Sequence, residues 1–119
     1  MDYNKEKRQR PRARVNWPVV LQTERGDISG ETMNLTVDGA LVRCQESLVP
    51  DQTVEMVIQV PALVHPLRIT AQVIHSSKCE HKEEVTYFEI GVRFAEISDK
   101  NKWLISVAVQ RESGVMLFP

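Results

Sequence analysis

Three segments of the chain alternate apolar and polar residues with the period of two that puts successive side chains on opposite faces of a β-strand. In residues 53–60, Val54, Met56, Ile58 and Val60 share one face and Glu55, Val57 and Gln59 the other. Leu67, Ile69, Ala71 and Val73 repeat the pattern against Arg68, Thr70 and Gln72, as do Phe88, Ile90, Val92 and Phe94 against Tyr87, Glu89, Gly91 and Arg93. One apolar and one mostly polar face per strand is the signature of an antiparallel sheet wrapped round a core. Further strands are predicted at residues 15–23, where Pro18 points to an edge or bulge position, at 31–35 and at 39–44. Turn chemistry separates the strands at 24–27, 37–39, 50–51, 61–66 and 76–84. About six short strands at this spacing predict an all-β-dominated fold, a six-stranded antiparallel β-barrel that is closed or nearly so.

The last segment has a different texture. Ser98 suits a helix N-cap and Asp99 its first turn. Trp103, Leu104, Val107, Ala108 and Arg111 follow helical spacing, and Gly114 suits a stop. Ile105, Val107 and Val109 also alternate, which leaves a final strand as the alternative. The helix is the preferred reading, packed on the barrel by Trp103 and Leu104. The predicted organisation is therefore a flexible arm at 1–14, a barrel at 15–97, and a helix and tail at 98–119.

At 119 residues and 13.6 kDa the chain predicts one domain, large enough to fold on its core without disulfides or a structural metal. No apolar run approaches the roughly 18–20 residues of a membrane span, and no apolar signal-peptide core follows the charged N-terminus. Cytoplasmic location is expected, with Cys44 and Cys79 reduced. Charge is distributed unevenly. Residues 1–14 hold Lys5, Lys7, Arg8, Arg10, Arg12 and Arg14 against Asp2 and Glu6, a balance of +4, while the remainder carries −5 and the whole chain −1. An arginine-dense arm on a mildly acidic body points to a local anion site, although such an arm is also what a solvated tail looks like.

Two short motifs, in the order of these elements, resemble the PilZ domain family of bacterial cyclic di-GMP receptors. The first is RxxxR, here Arg8-Gln9-Arg10-Pro11-Arg12, just ahead of the first strand. The second is [D/N]x[S/T]xxG, here Asn34-Leu35-Thr36-Val37-Asp38-Gly39, followed by Ala40-Leu41-Val42. A looser similarity is Ile90-Gly91-Val92-Arg93-Phe94. Each motif carries little information singly, and their joint order and spacing carries much more. The resemblance covers residues 8–94 and implies a PilZ-like barrel with a C-terminal helix. It also implies a ligand, cyclic di-GMP, held by Arg8, Arg12, Asn34, Thr36 and Gly39, with Arg10 and Gln9 secondary.

The chemistry suits that ligand. Guanidinium forks give charge-assisted bonds to phosphate or to guanine O6 and N7, and their planes stack on purine faces. Each such bond contributes about 1.5–3 kcal/mol, against about 1–2 kcal/mol per residue to order a free arm. The terms are comparable, so the arm is expected to order only on ligand. Asn34 and Thr36 alternate and point to one side of a strand, while Gly39 lets the backbone turn and approach closely. Asn34 stands where the family often has aspartate, and its single carbonyl oxygen cannot accept two guanine donors as a carboxylate does. Arg14, Arg43 and Arg93 are candidates of lower rank that also read as surface charges, and Trp17 and Trp103 read as packing residues.

No enzyme constellation is present: Glu80, Glu83 and Glu84 read as a solvated acidic loop. His75, Cys79 and His81, with Cys44, have loose spacings for zinc, and no metal site or cofactor is expected. The leading expectation is a cyclic di-GMP receptor or adapter, monomeric or dimerising on ligand, that signals to a separate, unidentified downstream protein. The alternatives are a PilZ-like protein-interaction adapter that binds no nucleotide, or a weak nucleic-acid-binding barrel, against which the acidic body argues.

Overall fold

The computed structural model describes residues 13–80 and 86–113. Six strands, β1 (Ala13–Thr23), β2 (Gly26–Leu35), β3 (Gly39–Cys44), β4 (Thr53–Ile58), β5 (Leu67–Cys79) and β6 (Tyr87–Glu96), precede one helix, α1 (Asp99–Ser113). The strands close into a barrel in the order β1-β2-β3-β6-β5-β4, and every pairing is antiparallel. Closure removes the exposed strand edges that invite pairing with other chains.

The alternation that marked the strands also sets their inner face. Val54, Met56, Ile58 and Val60 are buried, as are Leu67, Ile69, Ala71 and Val73, and Ile90 and Val92 from β6. Val19 and Leu21 from β1, Leu35 from β2 and Val42 from β3 complete the lining. Burying each such side chain contributes about 1.5–3 kcal/mol, so the barrel interior is the dominant source of stability. Thr32 is the one polar residue among the described core residues; its side chain is fully buried and its hydroxyl has no partner.

Several boundaries differ from the sequence expectation. β1 begins at Ala13, two residues before the expected start, so Ala13 and Arg14 belong to the barrel and Ala13 is fully buried. β2 begins at Gly26 rather than at residue 31, because the two strands pair down to Thr23↔Gly26 and a two-residue turn suffices. β5 runs on to Cys79, through half of the expected 76–84 turn, because its ladder with β6 continues to Cys79↔Tyr87. Pro18 sits just past a bulge between Arg14 and Trp17, where the β1–β4 ladder starts at Val19↔Ile58.

The segment after β6 is helical rather than a seventh strand. Ser98 caps it, its hydroxyl accepting from the Asn101 amide at 3.0 Å, and the Asn101 side chain donates to the Arg68 carbonyl of β5 at 3.1 Å. Of the two expected anchors, Leu104 packs against the core and Trp103 does not. Ile105 and Val109 are buried, with Leu104 and Ala108 partly so, whereas Trp103 is 64% exposed. Ile105 and Val109 lie four residues apart on one face, and Trp103 falls off that face. Trp17 is buried in the core, as expected. Gly114, the expected stop, lies outside the described residues, and among those residues no helix is long and apolar enough to cross a membrane.

Candidate functional site

The end of β2 and the start of β3 are joined by a tight turn, and one side chain organises it. The Thr36 hydroxyl accepts from the Asp38 amide at 3.0 Å and the Gly39 amide at 3.2 Å, and the Thr36 amide donates to the Gly39 carbonyl at 3.0 Å. This is the side-chain mimic of a backbone turn that Ser and Thr form, so the hydroxyl is already engaged. The Phe94 amide donates to the Asp38 carbonyl at 2.8 Å and ties the turn to β6.

Gly39 is required for a reason the sequence did not reveal. Its φ is not positive, so the turn itself does not demand glycine. A Cβ there would overlap the Val92 carbonyl oxygen and lie 3.3 Å from the Arg93 Cα. The close approach that glycine permits is to β6.

The register places one row of residues across the outer face of the barrel. Arg14 of β1 opposes Asn34 of β2, Asn34 opposes Leu41 of β3, Leu41 opposes Gly91 of β6, and Gly91 opposes His75 of β5. Directly opposed residues of an antiparallel pair share a face. A neighbouring row holds Gly39, Arg93 and Gln72, with the Arg93 guanidinium donating to Gln72 Oε1 at 2.8 Å. Together they shape an open groove of about 460 Å³, within the range of small-molecule sites, whose lining includes Asn34, Thr36, Gly39, Leu41, His75 and Arg93.

Asn34 Oδ1 is buried there without a hydrogen-bond partner. A buried acceptor left unpaired costs about 1–3 kcal/mol, which a donor in the groove would recover once the Asn34 amide turns its oxygen outward. Asn34 near the end of β2, Thr36 in the turn rather than on the strand as expected, and Gly39 at the start of β3 therefore meet in one place. Arg8, Gln9, Arg10 and Arg12 lie outside the described residues, as does His81 of the zinc alternative. Arg14 stands beside Asn34 at the groove's lip and Arg93 lines it, whereas Arg43 is held elsewhere. The Arg43 guanidinium lies 4.4 Å from the Tyr87 ring centroid and 3.9 Å from the Glu89 carboxylate.

Ile74 and His75 also line the groove; the sequence pointed to His75 only as a loosely spaced zinc candidate and to Ile74 not at all. A bulge between Val73 and His75 turns both outward, interrupting the alternation of β5. No local pattern in the sequence marks them, because the bulge shows only once β6 is aligned beside β5.

Comparison with known proteins bears on this geometry. The PilZ domain family model matches residues 6–109. A search of curated proteins finds no match. Among solved structures, the PilZ domain of YcgR from Escherichia coli with c-di-GMP is 12% identical, with a TM-score of 0.74 over 89% of this chain and 91% of that one. The Bacillus subtilis inhibitor of motility MotI/DgrA is 18% identical, with a TM-score of 0.71 over 87% of this chain and 50% of that one. MrkH of K. pneumonia, in its c-di-GMP complex, is 15% identical, with a TM-score of 0.73 over 87% and 52%. The chain thus spans about half the length of MotI and of MrkH. With the family model covering nearly the whole chain and the same barrel recurring in these neighbours, the chain belongs to the PilZ domain family.

Proposed function

We propose that this chain is a cyclic di-GMP receptor that works in the cytoplasm, catalyses no reaction, and passes its signal to a separate protein. The ligand binds in the outer-face groove, and Arg8 and Arg12, with Arg10 and Gln9 assisting, close on it from the N-terminal side. The observation that carries this reading is the convergence of the second motif with the root of the arm. Asn34, Thr36 and Gly39 line the groove, and β1 enters the barrel beside them, Ala13 opposite Leu35 and Arg14 opposite Asn34. Arg12 is one peptide link from Ala13, and Arg8 is five residues away, at most about 18 Å of chain.

The groove and the arm divide the chemistry. The groove supplies apolar floor and an unpaired acceptor, suited to a flat base with N–H donors on its edge. The arm supplies the positive charge that a doubly anionic ligand needs and that the acidic body lacks. Thr36 holds the turn in shape, leaving Asn34 as the residue of that motif free to meet the base.

Isothermal titration with cyclic di-GMP tests the reading. Arg8→Ala and Arg12→Ala are each expected to weaken binding by at least tenfold, because each removes charge-assisted bonds of about 1.5–3 kcal/mol. Asn34→Ala is expected to cost less. Wild-type titration of the Arg8→Ala/Arg12→Ala double variant would refute the mechanism. Absence of binding by the wild type would leave the adapter role, and a steep salt dependence toward single-stranded nucleic acid would favour that ligand instead.

A further inference from the structure

We propose that residues 115–118, just past the described end of α1, fold back into a second groove between α1 and β1, with Leu117 as the anchor. The inference does not depend on the receptor reading, because this groove shares no lining residue with the one around Asn34.

The groove measures about 290 Å³. Trp17 of β1 and Val60 are its buried floor, the exposed Pro61 and Ala62 form one wall, and the half-buried Ala108 of α1 forms the other. The wall after β4 is held in shape, the Leu63 amide donating to the Val60 carbonyl at 2.9 Å. Arg111 and Glu112, of opposite sign, line the part nearest the end of α1 at Ser113. An enclosed apolar cavity of about 150 Å³ already holds a benzene ring, so this groove has room for a large apolar side chain and part of a second.

The chemistry of the segments outside the described residues singles out one occupant. Residues 1–12 are dominated by Lys5, Lys7, Arg8, Arg10 and Arg12, and residues 81–85 by His81, Lys82, Glu83 and Glu84. Neither suits a groove with an apolar floor and a balanced pair of charges at one end, since a charge placed there loses its hydration without a free partner. Val115-Met116-Leu117-Phe118 carries no charge and four apolar side chains in succession.

The length of chain also fits. Gly114 directly follows the last residue of α1, where glycine favours the left-handed turn that ends a helix and reverses the chain. In that arrangement the second residue past the helix, Val115, packs on its last turn. From Ser113 back to Ala108 is five residues of helix, about 7.5 Å, which an extended chain covers in two to three residues. Leu117 shares a side with Val115 in an extended segment, so it comes level with Ala108 above Trp17.

The test uses the full chain, with nuclear Overhauser contacts and thermal melting as readouts. In the wild type, the Leu117 methyl protons are expected to show cross-peaks to the Trp17 indole and to the Ala108 methyl. Leu117→Asn is expected to remove those cross-peaks and to lower Tm by about 4 °C, the loss of one buried apolar side chain offset in part by the freedom the segment regains. Leu117→Met, which keeps an apolar side chain of similar volume, is expected to melt within about 1 °C of the wild type. Absence of the Leu117–Trp17 cross-peak in the wild type overturns the proposal, as does a Leu117→Asn melt within about 1 °C of the wild type. Cross-peaks that survive isotope filtering in an equal mixture of labelled and unlabelled chains place the tail of a second copy in the groove, and overturn the proposal in favour of a dimer.

Discussion

Replacing Gly39 by alanine should damage the barrel itself, whatever ligand the groove takes. The added methyl meets backbone on the neighbouring strand: it overlaps the Val92 carbonyl oxygen and presses on the Arg93 Cα at 3.3 Å. Backbone in a closed ladder cannot swing aside, so β3 and β6 must separate where Gly39 pairs with Arg93, and the turn tied to Phe94 must shift with them. Overpacking of this kind costs about 1–3 kcal/mol. For 119 residues the unfolding entropy is about 0.25 kcal/mol/K, so each kcal/mol lowers Tm by about 4 °C. A cost near 2 kcal/mol therefore predicts a fall of about 8 °C. Gly91→Ala is the matched control. Its methyl meets the His75 imidazole, the far end of a rotatable side chain on an exposed residue, and the predicted fall is below about 4 °C. Calorimetric or circular-dichroism melting of the two variants without ligand decides the matter. If Gly39→Ala melts within 2 °C of the wild type, or Gly91→Ala falls further than Gly39→Ala, the close-approach argument is wrong.

Three other outcomes follow from the same geometry. Asn34→Asp gives the groove a carboxylate that accepts two donors where the amide accepts at one oxygen, and titration calorimetry should show cyclic di-GMP binding about fivefold tighter. Thr32→Val removes a buried hydroxyl without a partner, so chemical denaturation should show a gain of about 1 kcal/mol with an unchanged m-value. Burial raises the Cys44 thiol above its ordinary 9.0, reinforced by the nearby Glu46 charge and only partly offset by the Glu46 backbone. A raised acid stabilises the fold fully below pH 9 and loses that contribution as pH rises through the folded-state value. The stability difference between wild type and Cys44→Ala should therefore be constant up to pH 9 and shrink above it in alkaline denaturation.

The barrel was readable because its signal is periodic. Val54–Val60 and Leu67–Val73 bury alternate residues as their pattern requires, and no tertiary contact had to be known. Lengths and ends were not readable in the same way. β5 extends to Cys79 through Ser76, Ser77 and Lys78, whose composition says turn, because β6 supplies partners for them. The helix is legible in the sequence, with Trp103 and Leu104 as its expected anchors; Leu104 packs on the core, while the face defined by Ile105 and Val109 leaves Trp103 exposed despite its size and hydrophobicity. In the site, Asn34, Thr36 and Gly39 could be found from a local motif. The places of Ile74 and His75 in the groove could not, since they depend on a bulge that only the pairing of β5 with β6 reveals. The turn role of Thr36 and the β6 contact of Gly39 became visible only with distances.

Ala13, sealed in the core directly after Arg12, is the fixed point at which residues 1–12 join the barrel. In the proposed receptor, covalent attachment at that point would supply the arginines to the groove at an effective concentration of about millimolar. A chain cut before Ala13 would therefore need the detached peptide of residues 1–12 at about that concentration to regain what the covalent link supplies. Capture by this barrel would then depend on chain continuity as much as on the arginines themselves.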